Sequence, residues 1–256
     1  MRILWSIIKR DLKGYFLSPI IYAITTVFLI LTGFLFYSNL VVYMRISFST
    51  MQNPYWSYAL NLTTDFLQPL AGNFAVIFLF LIPVITMRSF SEEKRSGTLE
   101  LMSTYPVGNG QIILGKYLAA MITISLILIL TLIYPLFLYL WSSPETALVI
   151  STYFGFLGLV SIFVAAGIFA SATTDNQIIA ALVAFALNLL LWMIGWISPS
   201  PEGLLHDVLE HLSVLTHFEP LIKGLVSLPA IAYFVTMTAL FLFLTGQALE
   251  SKKWRG

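Results

Sequence analysis

Six long apolar runs divide this chain, and they leave few folds open to it. They span residues 20–43, 70–87, 112–140, 148–170, 178–197 and 225–244. A helix needs about 20 apolar residues to cross ~30 Å of hydrocarbon, and each run comes close to that length or exceeds it. Of the 256 residues, 59% are hydrophobic and only 10% charged, with mean hydropathy +0.90. A soluble domain carries about 25% charged residues and has no interior large enough for this much apolar surface. The expected fold is therefore an all-α polytopic membrane protein, one transmembrane domain over 1–256. The third run exceeds one hydrocarbon thickness, so its first turns are expected outside the membrane. The first run is too long for a signal-peptide core of ~7–15 residues and reads as a retained span.

Six spans put both termini on one side. That side collects Arg2, Lys9, Arg10, Lys13, Arg88, Lys94, Arg95, Lys116, Lys252, Lys253 and Arg255, against Arg45 and Lys223 on the other. The positive-inside rule makes the rich side cytoplasmic, which predicts a multi-pass protein of the cell (inner, cytoplasmic) membrane. A net charge of +1 supplies no basic face, so no nucleic-acid partner is expected. The chain has no cysteine, hence no disulfide frame or thiolate metal site.

Residues 1–17 read as an amphipathic helix in the membrane interface. Leu4, Ile7, Ile8, Leu12 and Phe16 recur at helical spacing, with Lys9, Arg10 and Lys13 between them. Trp5 and Tyr15 suit headgroup depth. Ser18-Pro19 then turns the chain into the bilayer. On the outer side, 44–68 and 198–223 are expected as loops, the second holding a short amphipathic helix over 204–212. His206, His211 and His217 lie in that loop at spacings that favour solvated side chains over a metal site. Between the fourth and fifth spans, 171–177 is a tight polar hairpin. There Ser171 or Thr174 is expected to cap the following helix.

Energy capture is not visible in the chain. Gly110–Lys116 satisfies G-x-x-x-x-G-K, but Tyr117 stands where a phosphate loop needs Ser or Thr for Mg²⁺, and a span continues from it. No Asp, Glu, Lys or Arg falls mid-span, which leaves ion coupling unsupported. Asn73 and Asn188 read as interhelical hydrogen-bond glue. No catalytic group is assigned. The prominent polar feature is Arg88–Met102 between the second and third spans. Glu92, Glu93, Lys94, Arg95, Thr98 and Glu100 form a polar face, and Leu99, Leu101 and Met102 an apolar one. A short helix there is suited to lodging in a partner's cleft. Glu92 and Glu93 beside Lys94 and Arg95 suggest salt bridging. Gly97 is expected to weaken the helix, and Pro106–Gly110 to break the chain before the third span.

The run Glu92-Glu93-Lys94-Arg95-Ser96-Gly97-Thr98-Leu99-Glu100-Leu101, then Tyr105-Pro106-Val107 and Leu114-Gly115-Lys116-Tyr117-Leu118-Ala119, resembles the signature loop of ABC-2 type transporter permeases. The likeness spans about thirty residues and departs at Gly108, where that family often has a capping Ser. The resemblance implies a membrane-spanning permease subunit without ATPase activity of its own, ATP and Mg being held by separate cytoplasmic ATPase subunits. It makes 88–102 the coupling helix, with Glu92, Glu93, Lys94, Arg95, Gly97, Thr98 and Glu100 as contacts. Thr174, Asp175, Asn176 and Gln177 would be a second cytoplasmic contact. A second permease is implied, either a copy of the chain or a different one with an extracytoplasmic domain. Lys9–Ile20, His217–Gly224, Leu242–Thr245 and Leu249-Glu250 are similar to the gliding-motility (GldF-like) permeases. Two other readings remain open at this stage: a structural anchor that transmits force without transport, and a secondary transporter. Flux in ATP-depleted vesicles would favour the latter. The chain leaves the substrate undefined.

Overall fold

The structure is a computed structural model that describes residues 2–52, 62–98, 108–141, 144–197 and 204–253. Every element in them is helical. In order they are α1 (Arg2–Leu17), α2 (Pro19–Gln52), a π turn (Thr63–Leu67), α3 (Gln68–Thr86), α4 (Arg88–Arg95), α5 (Asn109–Leu130), α6 (Ile133–Trp141), α7 (Thr146–Thr173), α8 (Gln177–Ile197), α9 (Leu204–Leu212), α10 (Val214–Ile222) and α11 (Leu228–Lys253). Among the described residues, six helical stretches are long and apolar enough to cross a membrane, matching the six apolar runs. The protein is a polytopic all-α membrane protein.

Several boundaries differ from expectation, each for a local reason. α2 continues to Gln52, into the expected outer loop. At 1.5 Å per residue its 34 residues reach about 50 Å, beyond the hydrocarbon. The third span is not one helix. It breaks at Thr131-Leu132 between α5 and α6. Pro135 lacks an N–H, and its ring crowds the carbonyl four residues back, at Thr131. The break is held by side chains. The Thr131 hydroxyl donates to the Leu128 carbonyl at 2.6 Å and lies 2.9 Å from the Tyr153 hydroxyl. Tyr134 donates to the Leu29 carbonyl at 3.0 Å and sits 2.9 Å from the Thr32 hydroxyl. These polar contacts tie α2, α5, α6 and α7 within the apolar bundle.

The helix expected over 204–212 is α9, but a second one, α10, follows it. Ser213 caps α10 by accepting from the Thr216 N–H at 3.1 Å. Val214, Phe218, Leu221 and Ile222 are buried at helical spacing, so this segment is packed into the bundle. Its 3.6-residue period and the Ser213 cap were available in the sequence. His217 is correspondingly not a solvated loop residue. Its ring stacks on Tyr233 with centroids 3.9 Å apart.

α7 is the central helix, packed against α3, α8, α10 and α11. Lipid tails are as apolar as leucine, so close fit holds such helices together more than exclusion of water does. Gly158 illustrates this: a Cβ there would stand 2.6 Å from the Phe234 ring of α11. Phe156 meets Phe74, Phe78, Tyr153 and Phe218, at centroid distances between 5.6 and 6.3 Å. α2 is the outermost span, with 22% of its apolar window buried against 61% for the second span. Its Ile30, Phe34 and Tyr37 project outward. Asn188 shows no glue contact among the described residues. It is fully buried in α8, and neither amide atom has a partner among the described residues. Such an orphaned group costs about 1–3 kcal/mol.

Candidate functional site

α4 continues the second span past Met87, at the end of the bundle where α1 and the α7–α8 hairpin also lie. Its eight residues, RSFSEEKR, are too few and too polar to be stable alone. Neighbours on three sides hold it in place.

The first anchor is electrostatic. Glu93 Oε1 accepts from Arg10 Nη2 of α1 at 2.7 Å and from Lys116 Nζ of α5 at 2.9 Å. Asp11 closes the set, 2.8 Å from Arg10 and 3.5 Å from Lys116. Lys116 is only 4% exposed and Glu93 17%, so that pair meets largely out of water, while Arg10, 47% exposed, joins it from the solvent side. Phe90 is fully buried, with its ring centroid 5.0 Å from the Lys116 ammonium. Burial pulls the Arg10 guanidinium down, but Asp11 and then Glu93 outweigh this and hold it above its ordinary value. A buried lysine balanced by two carboxylates from other helices fixes the mutual position of α1, α4 and α5.

Steric fit sets the same geometry. A Cβ on Gly115 would fall 2.6 Å from Ile7 Cγ2, so only glycine lets α1 approach α5 this closely. Gly110–Lys116 therefore forms the opening turns of α5, and its lysine binds carboxylates of this chain. The Tyr15 hydroxyl lies 3.2 Å from Ser89 Oγ of α4, a further tie between α1 and α4. Burial pushes its phenol up to about 12, so it stays neutral.

The second anchor comes from α7. Ser171 is inside that helix and fully buried. Its Oγ accepts from the Phe90 and Ser91 N–H groups at 2.9 and 3.0 Å and donates to the Met87 carbonyl at 2.9 Å. Ser171 thus caps α4, a different helix from the one expected. The cap of α8 is Asn176, whose Oδ1 accepts from Ile178 N–H at 2.9 Å, while Thr174 Oγ1 accepts from Asn176 N–H at 3.2 Å. Lys94 Nζ donates to the Ala172 carbonyl at the end of α7. The two regions expected to be cytoplasmic contacts, α4 and the 174–177 hairpin, therefore adjoin.

The paired acids part company. Glu93 turns inward to Arg10 and Lys116, whereas Glu92 is exposed, as is Arg95. Neighbouring residues on a helix point about 100° apart, so one acid can face the bundle while the other faces out. Gly97 does not weaken the helix from within. It follows the Ser96 C-cap at φ +70°, the left-handed position that ends helices. Thr98 is exposed and donates to the Glu93 carbonyl at 3.3 Å. Glu100, Leu99, Leu101 and Met102 lie outside the described residues. Asp175 and Gln177 sit in the α7–α8 turn and at the start of α8. Sequence reasoning missed Arg10, Asp11, Lys116 and Ser171 as parts of this site. The signal for Lys116 was a lysine opening an apolar helix with no acid one turn away on it.

The arrangement holds a short, capped helix by charge and hydrogen bonds against α1, α5 and α7, with Glu92 and Arg95 exposed. The sequence model for the family described as ABC-2 family transporter protein matches residues 5–249. No curated protein matches the chain.

Proposed function

The chain belongs to the ABC-2 transporter family, and on that footing we propose that it is the permease subunit through which a separate ATPase drives export or mechanical work. The α4 end of the bundle faces the cytoplasm in this reading, as the Lys/Arg asymmetry favours. The carrying observation is the division of Glu92 from Glu93. One acid is presented outward, as a docking helix requires, and its neighbour is locked to α1 and α5, so that force on α4 reaches both. ATP and Mg²⁺ belong to the partner ATPase. A second permease completes the translocation wall, and the gliding-motility likeness of the ends favours a different chain over a copy.

The orientation is testable because the chain lacks cysteine. In intact cells, a membrane-impermeant thiol reagent should label Val208→Cys in α9 and spare Ser96→Cys at the end of α4. The reverse pattern contradicts the reading. The chain purified alone should show no saturable nucleotide binding, whereas its complex should hydrolyse ATP at a rate that falls with Glu92→Lys.

A further inference from the structure

α1 has a side that the bundle does not use. Its apolar residues are spent on the protein: Ile7 and Ile8 are buried, and Ile7 fits against Gly115 of α5. Farther along, Arg10 reaches Glu93, and the Tyr15 hydroxyl lies 3.2 Å from Ser89 Oγ. The Phe16 carbonyl then accepts from the Tyr22 hydroxyl of α2 at 2.9 Å. α1 thus crosses the ends of the third, second and first spans in turn, where a membrane surface meets the bundle.

Trp5, Lys9, Lys13 and Phe16 are all exposed, Trp5 to 63%. At 100° per residue they fall within about 80° of one another around the helix, so they form one stripe along most of its length. Leu17, 82% exposed, flanks the end of the stripe, and the first span follows with Ile20. Neither lysine forms an ion pair among the described residues. Asp11, the single acid of α1, is held by Arg10 and Lys116.

These features decide what the stripe fits. The two ammonium groups sit one turn apart, about 6 Å along the axis, and call for negative charge. An exposed indole and phenyl ring beside them suit the boundary between headgroups and acyl chains. The stripe also runs without interruption into a helix that enters hydrocarbon. An acidic protein surface would answer the lysines but not that continuity.

We propose that this stripe binds anionic phospholipid. Lys9 and Lys13 donate to headgroup phosphate oxygens, and Trp5, Phe16 and Leu17 rest against the upper acyl carbons. The bilayer thereby holds α1 from the side away from Gly115, while the ion pairs hold it to α4 and α5.

The test uses the full chain in detergent, titrated with phosphatidylglycerol or phosphatidylcholine of identical acyl chains, with bound lipid read by native mass spectrometry. Phosphatidylglycerol should be retained about tenfold better, since each lysine near an anionic surface contributes severalfold. Lys9→Gln with Lys13→Gln should remove most of that preference at unchanged thermal stability. Lys252→Gln with Lys253→Gln, at the end of α11 on the same side of the membrane, should leave it in place. Equal retention of the two lipids by the native chain overturns the proposal. So does a preference that survives the change in α1 and falls with the change in α11. If the α1 double variant keeps its lipid preference but no longer co-purifies the ATPase, the stripe belongs to a protein partner and the proposal is wrong. The comparison of headgroups on the native chain decides the matter even if a variant misfolds.

Discussion

Glu93→Ala should destabilise the protein by about 3 kcal/mol or more, because it strands Lys116, a nearly buried ammonium, with Asp11 alone at 3.5 Å. Removing one member of a buried pair costs more than removing both. Glu93→Leu combined with Lys116→Met should therefore be the milder change. Glu92→Ala, one residue away on the exposed face, should leave stability within about 0.5 kcal/mol of the native chain. Thermal unfolding in a single detergent measures all three. The combination of a costly Glu93→Ala, a milder double variant and a neutral Glu92→Ala identifies Glu93 as an internal brace. Equal and small effects at 92 and 93 would show a solvated loop with no brace. The double variant also tests transmission: with α4 no longer clamped to α5, ATPase association should persist while hydrolysis uncouples from work.

Gly167→Ala gives the second large effect, and its sign is informative. Helix propensity alone favours alanine over glycine by about 1 kcal/mol. A Cβ on Gly167, however, collides with Thr86 Oγ1 and lies 2.9 Å from Thr86 Cβ and 3.2 Å from its Cγ2. Thr86 is fully buried at the last turn of α3, with its hydroxyl bonded to the Ile82 carbonyl at 2.9 Å, so it has little freedom to move. Overpacking of this kind costs about 1–3 kcal/mol. The variant should lower the unfolding temperature, and Thr86→Ala should recover part of the loss in the double variant. A stabilised Gly167→Ala, or strictly additive effects, would show that α3 and α7 are not in close contact beside the α4 junction.

The six spans were legible because a membrane imposes a length and an apolar composition on each crossing helix. The amphipathic α1 and α9 were legible from periodicity. The break in the third span was carried by Pro135, whose effect is hidden inside a run of apolar residues. α10 was obscured by its place in a segment short enough to pass for a loop. The candidate site was half legible. The charge-rich run located α4, but sequence order cannot say which of two adjacent acids faces inward. That is decided by Arg10 and Lys116, which are 83 and 23 residues from Glu93 along the chain. Ser171 was misassigned for a similar reason. Its neighbour in sequence is the start of α8, and its neighbour in space is the start of α4.

The central claim is that the outer edge of α4 is where the ATPase takes hold. A photo-crosslinking amino acid introduced in turn at positions 92, 95 and 208, in cells making the chain with its native partners, tests it directly. The account predicts adducts to an ATP-hydrolysing subunit from 92 and 95, and none from 208. Adducts from 208, or their absence from both α4 positions in an assembled complex, would contradict it.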